Sequence, residues 1–193
     1  MRTTVSVVCT LALALCAASA WAQSPTTAPP ADSLKVDYFA NANTAAAPDA
    51  SVRLTNPGTA GANICASIYV FDVNEEMSEC CSCFLSPDGL RTLSVNTDLT
   101  SNPLTGVVLT TGVIKMVSSK VVGGACPLPT KITAIAALRA WTTHIQDVSY
   151  VETEGNSQDA TLSSGELTSL QAECHAIGLD GSGKGVCSCG TGD

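Results

Sequence analysis

Basic side chains, histidines and aromatics are scarce in this chain, and each scarcity closes off a class of function. Nine Lys and Arg stand against 17 Asp and Glu, a net charge of −8. The basic residues are scattered, so neither an extended nucleic-acid footprint nor attachment to an anionic membrane is expected, because both need clustered Lys and Arg. The two histidines, His144 and His175, lie in no H-E-x-x-H or G-x-S-x-G context, which removes the common zinc-protease and serine-hydrolase patterns. His175 follows Cys174, but a Cys–His nucleophile needs a free thiol, and an even cysteine count argues against one. Aromatics are 4% of the chain; Tyr38, Phe39, Tyr69, Phe71, Phe84, Trp141 and Tyr150 read as core residues, not as a stacking platform for sugars. The one C-x-x-C spacing, Cys80 to Cys83, encloses a third cysteine, Cys81, and no second cysteine or histidine pair at finger spacing accompanies it, so neither redox catalysis nor a finger-type zinc site is expected.

Long apolar runs are absent except at the start. Arg2 precedes an apolar stretch from Val5 to Ala18, followed by small residues at Ala18, Ala20 and Ala22. This is the layout of a secretory signal peptide, with cleavage after Ala20 or, preferably, after Ala22 to leave Gln23 first. The stretch is shorter than the roughly 17–25 residues of a spanning helix and no basic stop-transfer cluster follows, so no membrane span is expected. The organisation expected is a signal peptide at 1–22, a Pro/Thr/Ala-rich leader and loop at 23–50, and a single cysteine-rich β-rich domain at 51–193. Localisation is then secreted, periplasmic or at the cell surface.

Eight cysteines remain beyond residue 22: Cys65, Cys80, Cys81, Cys83, Cys126, Cys174, Cys187 and Cys189. In an oxidising compartment they read as up to four disulfides. The Cys81/Cys83 and Cys187/Cys189 pairs stand out. Residues two apart on a strand share a face, so each pair presents two sulfurs side by side, and antiparallel strands would join them as Cys81–Cys189 and Cys83–Cys187. Cys80 points the other way and is left for Cys65, Cys126 or Cys174; a local Cys174–Cys187 bridge is the rival arrangement. The alternative chemistry is a metal site, in which the thiolates of Cys81, Cys83, Cys187 and Cys189, near Met77, would take zinc or copper(I).

Between these cysteines the pattern is mostly β. Leu34–Phe39 is a short candidate strand and 41–50 a loop. Ser51 to Thr55 alternates before the turn Asn56-Pro57-Gly58. Ile64 to Asp72 is the clearest strand, apolar on both faces as in a sandwich. Asn74 is placed to cap a short turn carrying Glu75, Glu76 and Glu79. Strands are expected at Leu90 to Val95, Val107 to Thr111, Val113 to Val117 and within Ile132 to Val148, where Trp141, Thr143 and Ile145 share one face and His144 the solvent face. One helix is signalled, with Ser163 or Ser164 as N-cap, Leu167, Leu170, Cys174 and Ile177 at helical spacing, and a stop at Gly178. The fold class is therefore a disulfide-bonded, β-sandwich-like domain with one C-terminal helix.

The glycine-rich stretch 178–185 ends in Lys184-Gly185. It lacks the closing Ser/Thr of a phosphate loop and follows a helix instead of joining a strand to one, so it reads as a turn that delivers Cys187. Asp180 and Ser182 lack the alternating acids and closing Glu of a calcium loop.

The segments C-A-S-I-Y-V-F-D (65–72), E-C-C-S-C (79–83), S-P-D-G-L-R-T-L-S-V-N (86–96), L-R-A-W-T-T-H-I-Q-D (138–147) and G-V-C-S-C-G (185–190) resemble those of a group of secreted, cysteine-rich bacterial proteins without an assigned activity. The resemblance implies export and a shared cysteine framework, and nothing catalytic. No cofactor and no catalytic residue is indicated. The function expected is that of a non-catalytic structural or interaction module with a protein or surface partner; the competing readings are an extracytoplasmic metal-handling protein and an enzyme of unrecognised type.

Overall fold

Strand-forming segments rich in Val, Ile, Thr and Cys dominate the computed structural model of the chain, which describes residues 33–146 and 152–192. The segment read as a signal peptide, 1–22, and nearly all of the proline-rich stretch after it lie outside these residues. The strands are β1 (Leu34–Phe39), β2 (Ser51–Thr55), β3 (Ile64–Phe71), β4 (Met77–Leu85), β5 (Leu90–Ser94), β6 (Gly112–Lys120), β7 (Arg139–Ile145), β8 (Glu152–Asn156), β9 (Gln158–Ala160) and β10 (Thr191–Gly192), with one helix, α1 (Ser164–Asp180). They form two five-stranded sheets, ordered β4-β3-β6-β1-β9 and β10-β5-β2-β7-β8. The domain is a mostly β sandwich with a C-terminal helix.

β3 explains the layering. All eight of its residues are buried. Ile64, Ala66, Ile68 and Val70 belong to the core between the sheets, together with Val52, Leu54 and Leu93. Tyr69 and Phe71, on the opposite face, pack with Leu170, Cys174 and Ile177 of α1. A strand covered on both sides cannot alternate apolar with polar, which is why this segment reads as a continuous apolar run. Fully burying each such side chain contributes roughly 1.5–3 kcal/mol.

Both long sides of the sandwich are closed by chain that changes sheets. On one, β8 pairs with β7 and β9 pairs with β1, with Ser157 at the crossing. On the other, the tail runs beside β4 and then pairs as β10 with β5. The edge strands β8, β9 and β10 are short, at five, three and two residues, and the tail lies beside the edge strand β4, which blunts the edges that make sandwiches prone to aggregate.

Several sequence expectations change. β1 pairs with β6 over six residues, so the folded body begins with this strand and not near Ser51. Val107 to Thr111 forms no strand; the ladder begins at Gly112, where a Cβ would lie 2.1 Å from the Phe71 carbonyl oxygen. Within the 132–148 run only Arg139–Ile145 is strand, and residues 147–148 lie outside the described chain. Asn74 caps no helix: Asp72 Oδ1 accepts the Asn74 and Glu76 amides at 2.8 and 3.0 Å, making the turn of the β3–β4 hairpin, and Glu79 lies inside β4. A π-helical turn at Val95–Leu99 carried no sequence signal. Helix α1 starts at the N-cap Ser163, whose Oγ accepts the Glu166 amide at 3.0 Å. It continues past Gly178 to Gly181, whose φ of 68° is the left-handed position that favours glycine.

Candidate functional site

The most unusual residues in the sequence meet at β4. Successive side chains of a strand point to opposite faces, so Cys80 and Cys81 serve different layers. Cys80 bonds Cys174 of α1 on the outer face, while Cys81 and Cys83 bond Cys187 and Cys189 of the tail on the inner one. Cys65 of β3 bonds Cys126. The two C-x-C segments are thus joined by adjacent rungs, with Cα separations of 5.2 and 5.3 Å, but in the register opposite to the antiparallel one. The physical reason is where the tail arrives. After Gly181 the chain turns back to the start of β4, where the Cys80 amide donates to the Gly185 carbonyl at 2.8 Å and Cys80 bridges Val186 in parallel. The tail therefore runs along β4, and the first cysteine of one pair meets the first of the other. Cys174 is held by Cys80, so the Cys174–Cys187 rival is absent. In this oxidised form the four sulfurs proposed as metal ligands are bonded to one another, and among the described residues no group of three His, Cys, Asp or Glu side chains is arranged to hold a metal ion.

Beside this clamp lies a buried acid. Glu79 is fully buried on the inner face of β4. Its Oε1 accepts the Asn102 amide at 2.9 Å, and Oε2 has no partner. Burial pushes its carboxyl up to about 7, opposed by the Asn102 N–H and the positive charge of Lys184. Asn102 in turn donates its side-chain amide to the carbonyls of Gly183 and Val186 and accepts the Gly185 amide on its own carbonyl. Glu79 thus sits under the node where the loop after the π-helical turn receives the tail.

A second polar cluster links the sheets at the opposite side. His144 on β7 is bonded through Nε2 to Asp37 Oδ1 of β1 at 2.6 Å, and its ring stacks on Tyr38, with centroids 4.3 Å apart and planes 5° from parallel. The sequence placed His144 on a solvent face; its side chain is 15% exposed. Ala140 and Thr142, on the same face, are buried. The face is polar yet internal because its partners come from β1 and the β8–β9 crossing, where Thr142 Oγ1 and Ser157 Oγ lie 3.1 Å apart. His144 bonds no hydroxyl or thiol among the described residues, so the pair lacks the nucleophile a hydrolytic dyad serves. His175 is an exposed residue of α1.

A surface feature that the fold does not consume lies at the β3–β4 turn. There the turn and the segment before β6 enclose a hollow of about 140 Å³. Val73, Val107 and Val108 line it and are 70%, 67% and 62% exposed. Met77 and Leu109 are the buried apolar residues of its wall. Val107 and Val108 belong to the run expected as a strand; the Leu109 and Thr110 carbonyls are instead taken by Asn43 Nδ2 and the Ala42 amide. The sequence signal for the hollow was this V-V-L-T-T run; Asp37 and Glu79, isolated acids in apolar strands, carried none that distinguished them from surface residues.

Among the described residues no helix is long and apolar enough to cross a membrane. Comparison with protein-family models, curated proteins and solved structures gives no match.

Proposed function

We propose that the protein is an exported, non-catalytic interaction module: the signal peptide is removed near residue 22, the cysteines oxidise outside the cytoplasm, and the rigid sandwich presents a recognition surface. The observation that carries this reading is the fate of the eight cysteines, all of which are paired, three of the four bridges converging on β4. Mutually bonded sulfurs of this kind, with all but Cys126 and Cys189 buried, serve a protein that works in an oxidising compartment. The polar clusters at Glu79 and at Asp37–His144 join elements of the fold and offer no nucleophile beside a base, which favours binding over catalysis.

N-terminal sequencing, intact mass and thiol counting on material recovered outside the cytoplasm test the reading. Expected are a first residue near Gln23, a mass below that of the reduced chain by about eight hydrogens, two per bridge, and no stoichiometric zinc or copper. An intact Met1, or four or more free thiols with a bound metal, would refute it.

A further inference from the structure

We propose that the hollow at the β3–β4 turn receives an extended, basic segment of a partner protein, which adds along residues 107–109 and inserts an apolar side chain between Val73 and Val108. The proposal rests on the interaction-module reading and names the partner chemistry for it. Three observations support it. The V-V-L-T-T run has strand-forming residues without a strand partner, and neither backbone group of Val108 is bonded among the described residues. Such a segment is a template for strand addition. The hollow is apolar inside, and its valines are exposed in the fold as it stands. The charges that line it have one sign: Asp72 and Glu76, with no Lys or Arg; Lys115 lies in the adjoining hollow, which shares Asp72, among the acids Glu75, Glu166 and Glu173. A second copy of this chain would bring the same acids face to face, and an anionic lipid surface would be repelled for the same reason. A segment alternating apolar with Lys or Arg satisfies the wall, the unpaired backbone and the rim together.

The test uses the oxidised protein isolated from its producing cell, three synthetic pentapeptides with blocked ends, Lys-Val-Lys-Val-Lys, Thr-Val-Thr-Val-Thr and Glu-Val-Glu-Val-Glu, and phosphatidylcholine vesicles, each titrated calorimetrically at low salt. The lysine peptide is expected to bind, the threonine peptide more weakly and the glutamate peptide not at all. Val107→Asp and Val108→Asp should each weaken binding of the lysine peptide at least about fivefold. Both sites are exposed, so melting temperature should stay near that of the parent. These variants add negative charge, so mere attraction to an acidic protein predicts the opposite; unchanged or tighter binding overturns the proposal. Equal binding of the threonine or glutamate peptide, still lost in Val108→Asp, keeps the module reading and overturns the basic partner. Binding of phosphatidylcholine vesicles but of no peptide overturns it in favour of a lipid surface. No binding of any probe overturns it and removes the hollow from the module reading as well.

Discussion

Replacing Glu79 by Gln should change how stability depends on pH more than it changes stability at any one pH. In the folded chain burial raises the Glu79 carboxyl from 4.5 to about 7. The neutral form is therefore the one the fold prefers. Its stabilising contribution is complete below about pH 4.5, declines as pH rises and is gone above about pH 7. A displacement of this size corresponds to about 3 kcal/mol between pH 4.5 and pH 8. Glu79→Gln keeps an oxygen for the Asn102 amide and cannot ionise, but leaves an amide N–H₂ where Oε2 has no partner, at a loss of about 1–3 kcal/mol. Guanidinium denaturation with disulfides intact, run on both proteins from pH 4.5 to 8, measures the difference. The variant should be the less stable at pH 4.5 and gain on the parent steadily, by about 3 kcal/mol over the range. A difference that stays flat within about 0.5 kcal/mol would mean that the fold does not displace the Glu79 carboxyl from its unfolded value, and would refute the reasoning.

The paired rungs should be redundant: removing Cys81 and Cys187 together leaves Cys83–Cys189 closing almost the same loop and loses under about 2 kcal/mol, whereas removing both rungs, with Cys80–Cys174 still in place, opens a residual loop of about 15 residues and loses about 3 kcal/mol in the chain-entropy model, as denaturation midpoints will show. Peptide mapping of unreduced protein should recover Cys81 linked to Cys187 and Cys83 to Cys189; a Cys81–Cys189 fragment contradicts the parallel tail. Gly185→Ala should destabilise by about 2–4 kcal/mol in thermal or denaturant melts, because the residue has a φ of +73° and a Cβ there would sit 2.5 Å from Ile177 Cγ2. His144→Phe retains a ring against Tyr38 but takes the donor from the buried Asp37; a loss of about 2 kcal/mol at pH 7 is expected in the same melts, and Asp37→Asn should recover part of it.

Period and spacing alone determined the β class, the position of β3, the start of α1 and the opposition of Cys80 to Cys81 and Cys83, because each depends on local geometry: two residues per strand repeat, 3.6 per helical turn, a hydroxyl at the N-cap. The pairing of one C-x-C with the other was legible for the same reason. Its register was not, since direction depends on where α1 delivers the tail, and that is set by the packing of Leu170, Cys174 and Ile177 on the outer sheet. The internal face of β7 was hidden because Thr142 and His144 are satisfied by Ser157 and Asp37, partners 15 and 107 residues away, so a rule that equates polar with exposed points outward. Val107 to Thr111 shows the converse: its residues favour a strand, but a strand needs a neighbour, and the sheet ends at Gly112. Local chemistry chose the elements; the tertiary structure decided which acids are buried, which way the tail runs and which apolar residues are left facing solvent.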